Sequence, residues 1–186
     1  MAELTQVPDP DVLRRWRSGP RWWSVVAAMI DDPRVEERRR AVAAALADLV
    51  QVTNPGQAHV TLWVGGFDAS PRLPDQRTVS LTVGVPDTFS SAVYLAVGGA
   101  WAAARDGLVA VNGPDRDIPF VPHVTVGTYH QEVPLTTIQD RLAQFAGWDD
   151  LVVTAHMEHV VVDTRSTVGA LAPAERRMRD SNPRGR

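Results

Sequence analysis

Residues 57–64 read Gln-Ala-His-Val-Thr-Leu-Trp-Val, and residues 122–126 read Pro-His-Val-Thr-Val. Apolar and polar side chains alternate in the first stretch, as they do in a half-buried strand. Both stretches contain His-Val-Thr, at 59–61 and at 123–125. The chain's composition predicts roughly 0.05 copies of that tripeptide, so two in matching surroundings point to an internal duplication.

Working outward, the same order of elements recurs. Before the first stretch, Trp22 to Ile30 (WWSVVAAMI) is an apolar run rich in valine and aromatic residues, which predicts a buried strand. Asp32 offers a helix cap and Pro33 suits the first helical position. Val35, Val42, Leu46 and Leu49 then fall on one face, which predicts a helix closed by Asn54-Pro55-Gly56. Before the second stretch, residues 92–97 predict a strand and residues 100–111 an alanine-rich helix, broken by Asn112-Gly113-Pro114. Residues 120–129 predict the strand that carries the second tripeptide. Each half thus reads strand, helix, turn, strand. Further strands are expected at 78–85 and around 151–163, with a helix over 136–146 closed by Gly147 and a short one over 10–17. Arg38, Arg39 and Arg40 are expected on the solvated face of the first long helix, and Trp22 and Trp23 in packing roles. The chain divides into an N-terminal extension (1–21), one domain (22–172) and an arginine-rich tail (173–186).

Composition narrows the chemistry. With 44% apolar and 22% charged residues, the 186-residue chain can build a real core, which excludes wholesale disorder. The lack of cysteine excludes disulfide scaffolds, thiolate zinc sites and cysteine nucleophiles. All 19 basic side chains are arginine against 22 acidic ones, and a net charge of −3 argues against grip on a long polyanion. A small phosphate held by a few donors stays open. No basic stretch leads into an apolar one near the N-terminus, and the uncharged run 51–66 is too polar to span a bilayer. A soluble, cytoplasmic monomer that does not bind membranes is the expectation.

On a strand, side chains two apart share a face. His59 therefore points with Thr61, and His123 with Thr125, while Val60, Leu62, Val124 and Val126 point into a core. If the two strands lie side by side about a pseudo-twofold axis, two imidazoles face one another across a cleft. Two imidazoles flanking one phosphate suit phosphodiester chemistry, one removing a proton and one returning it. Threonine hydroxyls can donate to the non-bridging oxygens. Neither a metal nor a protein nucleophile is required. By strand parity Trp63 and Tyr129 join the same face, where a nucleobase can stack on them. Phe67 and Arg116 complete the candidate substrate contacts.

The two motifs, Ala58-His59-Val60-Thr61-Leu62 and Pro122-His123-Val124-Thr125-Val126, resemble those of the two-histidine (2H) phosphoesterase superfamily. That group includes RNA 2′,3′-cyclic phosphodiesterases, historically called 2′-5′ RNA ligases. The resemblance implies an α+β, bilobal, pseudo-twofold duplicated fold, with antiparallel sheets lining a central cleft and helices outside. It implies a cofactor-free enzyme in which His59, Thr61, His123 and Thr125 act on the cyclic phosphate of a small nucleotide or an RNA 3′ end. His123 would serve as base and His59 as acid, although symmetry allows the reverse. RNA-processing members often carry an arginine five residues past the second motif histidine. Here that position is Thr128, which weakens the case for a long RNA end and leaves small cyclic nucleotides or another phosphoester open.

Two other classes compete with this reading. The same scaffold can serve as a non-catalytic binder of nucleotides or phosphate ends. Alternatively, His156 and His159, which bracket Glu158, invite a metal-dependent hydrolase. Residues three apart leave opposite faces of a strand, however, and the pattern is not His-Glu-x-x-His.

Overall fold

Strand β1 (Trp22–Ile30) shows why its sequence is a continuous apolar run rather than an alternating one. It pairs antiparallel with β3 (His59–Phe67) on one side and with β7 (Leu151–Asp163) on the other, and Val25 to Ala28 are buried whichever face they take. The computed structural model describes residues 3–51, 56–67, 69–115, 119–165 and 171–173. Within them the protein is α+β, an antiparallel sheet with four helices.

Asp32 caps α2 (Pro33–Ala45) as expected, its carboxylate accepting from the Arg34 amide at 2.9 Å. The helix stops well short of the Asn-Pro-Gly segment. A tight turn at Leu46–Leu49 keeps both leucines buried, and the chain then forms β2 (Val50–Gln51), which the sequence reading lacks. Strand β4 (Thr78–Thr88) leads through a short turn to β5 (Ala92–Gly99), followed by α3 (Trp101–Asn112) and β6 (His123–Tyr129). The last helix, α4 (Leu135–Leu142), runs into a 3₁₀ turn over Ala143–Phe145, and β8 (Leu171–Pro173) pairs with the end of β7.

The strands order as β2-β6-β5-β4-β7-β1-β3, with β8 off this path. Strands β3 and β6, far apart in that order, nevertheless come into contact. On one face the sheet packs against α2, α3 and α4 through Val35, Val42, Leu46, Leu108, Ile138 and Leu142. On the opposite face, Val25, Ala27 and Val160 form a smaller cluster with Trp23, Met29 and Val64.

The N-terminal extension is built into the fold. Thr5 exchanges bonds with Val133, its amide reaching the carbonyl and its hydroxyl accepting from the amide, both at 2.8 Å. Helix α1 (Pro10–Ser18) then sets Trp16 against Trp23 and Phe67. No helix among the described residues is long and apolar enough to cross a membrane.

Gly99, at the end of β5, has φ +90°, and a Cβ there would lie 2.8 Å from the Ser80 carbonyl oxygen and 2.9 Å from the Leu81 Cα. Both are backbone atoms of the paired strand and cannot step aside. Gly107, within α3, has open space around it. Gly99→Ala should therefore lower the thermal midpoint, with a cost of about 1–3 kcal/mol or more. Gly107→Ala should raise stability by about 0.5–1 kcal/mol, because alanine is the better helix former. Parallel urea melts of the two variants check both signs.

Candidate active site

His59 opens β3 and His123 opens β6. Val60, Leu62, Val124 and Val126 all lie in the helix-packed core, so the histidines and the threonines two residues on turn to the opposite face, where each is half-buried. The two imidazoles are anchored alike. His59 Nδ1 lies 2.9 Å from the Gln57 carbonyl oxygen, and His123 Nδ1 lies 2.7 Å from that of Val121. A carbonyl oxygen only accepts, so Nδ1 carries the hydrogen in both rings. Nε2 is then the atom of each ring that gains or loses a proton.

The surroundings of the two rings differ. Burial is the main cause holding His59 below the ordinary imidazole value, and the Arg39 guanidinium and His123 push the same way. The Gln57 carbonyl and the Glu36 carboxylate oppose them. His123 instead has aromatic neighbours edge-on, with Phe89 at 5.0 Å and Tyr94 at 5.5 Å between ring centroids. Phe89 and Tyr94 stack on each other at 4.1 Å. The Tyr94 hydroxyl donates to Asp87 Oδ2 at 3.2 Å, and burial, then the nearby carboxylate, pushes this phenol up to about 12.

A shared irregularity follows each tripeptide. Ala27 pairs with Thr61 but Val26 with Trp63, so Leu62 is an extra residue in β3. Tyr94 pairs with Thr125 but Val93 with Gly127, so Val126 is an extra residue in β6. Such a bulge breaks the two-residue alternation and sends the next side chains to the other face. The burial sequences of the two strands accordingly agree for six residues from the histidine.

This corrects the parity placement of two aromatic residues. Trp63 is 6% exposed within the helix-packed core, its indole N–H donating to the Gly113 carbonyl at 3.0 Å. Tyr129 is 1% exposed in the same core, with its hydroxyl 2.5 Å from Thr88 Oγ1. Phe67 packs edge-on against Trp23 at the far end of β3, remote from His59 in sequence and in register. Arg116 lies outside the described residues. The structure places His59 and Thr61 on β3 and His123 and Thr125 on β6, two strands in contact, and leaves Trp63, Tyr129 and Phe67 elsewhere.

Behind the two histidines lies a seam between β3 and β6, and helix arginines fill it. Arg39 is buried, which corrects its expected place on a solvated face. It donates through Nε to the Thr125 carbonyl at 3.2 Å and through Nη1 to the Gly56 carbonyl at 3.1 Å. Glu36 pairs with the same Nη1 at 2.8 Å and accepts the Ala58 amide at 2.8 Å. From α3, Arg105 donates to the Leu62 carbonyl at 2.7 Å and pairs with Asp115 at 2.6 Å, while Asp115 accepts the Val64 amide at 2.9 Å. Arg38 is also tied down, reaching the carbonyls of Val83, Gly84 and Asp149 and lying over the Trp148 ring at 4.8 Å. Of the three arginines, Arg40 alone keeps the exposed position expected of it. The signal for Arg39 was in the sequence, because it falls between Val35 and Val42 on the apolar stripe of α2, where a charge requires a partner.

On β7, His156 is exposed on the face that carries the motif histidines. His159 lies on the other side, its Nε2 2.6 Å from the buried Ser24 hydroxyl. The two therefore do not converge. No group of three or more histidine, aspartate or glutamate side chains among the described residues is placed to hold a metal ion.

No protein-family model matches the chain, and no curated protein matches its sequence.

The Asp115 side chain is wholly buried and holds both Arg105 and the Val64 amide. Asp115→Ala should cost about 3–5 kcal/mol, since it strands a largely buried cation as well as an amide. Chemical denaturation reads this directly. A loss under about 1 kcal/mol would mean that the pair is not the structural tie its geometry describes.

Proposed function

We propose that the protein is a two-histidine phosphoesterase that opens a 2′,3′-cyclic phosphate on a small nucleotide or an RNA 3′ end. One observation carries the reading: two identical tripeptides, with matching Nδ1 anchors and matching bulges, sit on strands that contact each other. A single half-buried histidine on a strand is commonplace, whereas two prepared in the same way are a matched pair. The strand order supports the accompanying duplication. Exchanging β1 with β5, β3 with β6 and β4 with β7 maps the path from β3 to β6 onto itself.

On this reading the phosphate sits between the two Nε2 atoms. One neutral imidazole takes a proton from water as the water oxygen bonds to phosphorus. The other, protonated, returns a proton to the ribose oxygen as its bond to phosphorus breaks. Thr61 and Thr125 donate to the non-bridging oxygens. The depressed proton affinity of His59 favours it as the base, the reverse of the assignment that the resemblance implies. His123, edge-on to Phe89 and Tyr94, takes the part of acid. Thr128 turns to the same face as Thr125 and offers no cation, which favours a small nucleotide over a long RNA end.

His59→Ala and His123→Ala should each lower turnover of a 2′,3′-cyclic mononucleotide by about 10²–10⁴-fold. The rate should follow a bell in pH. Its acid limb should lie below about 6.5, because His59 must be neutral and its environment resists protonation, and its alkaline limb marks loss of the His123 proton. Steady-state rates from pH 4.5 to 10 check the shape, and a monotonic rise through pH 9 contradicts the mechanism. Tight binding of the cyclic nucleotide without turnover would identify a binder. Activity abolished by EDTA and restored by zinc would identify a metal hydrolase.

A further inference from the structure

We infer that Arg39 is a positioning residue of this site: by donating at once to the Gly56 and Thr125 carbonyls, it sets the separation of the two histidine-bearing strands. The inference rests on the phosphoesterase reading for its catalytic meaning, but its structural part stands on the contacts alone.

Each end of the tie lands close to a motif histidine. Gly56 lies three residues before His59, and Thr125 two residues after His123. Glu36 tightens the first end by accepting the Ala58 amide while holding the guanidinium through both carboxylate oxygens. Strand β6 is otherwise laddered to β5 and, at Thr128–Tyr129, to β2, whereas β3 is laddered to β1. The Arg39 guanidinium therefore bridges β6 and the segment leading into β3, two stretches that do not pair with each other. A planar fork with several fixed donors suits that task, and a single ammonium does not. The charged and titratable groups that act on His59 are Arg39 and Glu36 from α2 and His123 from β6, so Arg39 also bears on the proton that His59 handles.

Three variants separate positioning from bulk stability. Arg39→Gln should lower kcat about 10–100-fold while KM moves less than about threefold, because a shift of about 1 Å between the histidines is felt in the transition state. Followed by NMR through its ring Cε1–H, His59 should titrate at a higher pH in Arg39→Gln, where a neighbouring cation is gone. It should titrate at a lower pH in Glu36→Gln, where a neighbouring anion is gone. Arg39→Lys keeps the charge, so the His59 midpoint should stay near that of the native protein while kcat remains depressed. Should Arg39→Gln fail to fold, Arg39→Lys still carries the test. Folded Arg39→Gln and Arg39→Lys variants with native kcat would overturn the proposal. So would Gln variants at 39 and 36 that shift His59 in the same direction.

If the native protein turns over no cyclic nucleotide, the phosphoesterase reading falls and the tie is judged by amide shifts. Arg39→Lys should then perturb β6 around Thr125 as well as residues 56–59. Perturbation confined to α2 and residues 56–59, with β6 unchanged, would overturn it.

Discussion

Strands β3 and β6 meet although neither is the other's partner in the sheet, and the backbone groups along that seam must be satisfied by something else. The protein meets this constraint with two arginine–carboxylate pairs, Arg39–Glu36 within α2 and Arg105 of α3 with Asp115 just beyond it. Gly56 and Ala58 just before β3, Leu62 and Val64 within it, and Thr125 in β6 all find partners in Arg39, Glu36, Arg105 and Asp115. The two helices act reciprocally. Helix α2 reaches over to β6, the strand that follows α3, and α3 reaches over to β3 in the first half. Each histidine stands within a few residues of one of these contacts.

Burying a guanidinium is costly unless its charge and its donors are matched. Arg39 meets the condition with a carboxylate and two carbonyls, and Arg105 with a carboxylate and one carbonyl. The consequence for chemistry is electrostatic. Burial is the main cause that keeps His59 short of protons, and the cation bonded to the segment leading into its strand adds to it by disfavouring a second positive charge. His123 sits among aromatic rings instead, and the two chemically identical tripeptides acquire different environments. A pair of titrating groups whose surroundings diverge is what general acid–base catalysis asks for.

Much of the framework was legible in the sequence. The apolar run at Trp22–Ile30, the Asp32-Pro33 helix start and the repeated tripeptide each identify their element correctly, because a single local cause dominates there: burial on both faces, a cap, an alternation. What failed is what depends on a partner. Strand β2 is two residues long and exists because β6 offers Thr128 and Tyr129 to pair with. Trp63 and Tyr129 were assigned to the wrong face because parity runs true only until a bulge, and both bulges are visible only in the register against β1 and β5. Arg39 looked solvated as one of three consecutive arginines, yet its neighbours Val35 and Val42 on the helical stripe argued for the inside.

The bulges have one more effect, on what the histidine-bearing face can hold. After Leu62 and Val126 the alternation restarts one residue late, so the fifth residue past each histidine returns to that face, as Val64 in one half and Thr128 in the other. Neither carries charge, and the Val64 amide is already engaged by Asp115. The arginines nearest the seam are likewise committed to backbone carbonyls and carboxylates. On the phosphoesterase reading, the phosphate is then held at the two motifs by imidazoles and hydroxyls rather than by these guanidinium groups. Affinity would have to come from what flanks it, and Phe89 and Tyr94 beside His123 are the aromatic surfaces the structure places there. A site of that kind discriminates by the fit of one nucleotide rather than by the charge of a chain, which agrees with the protein's slight overall acidity.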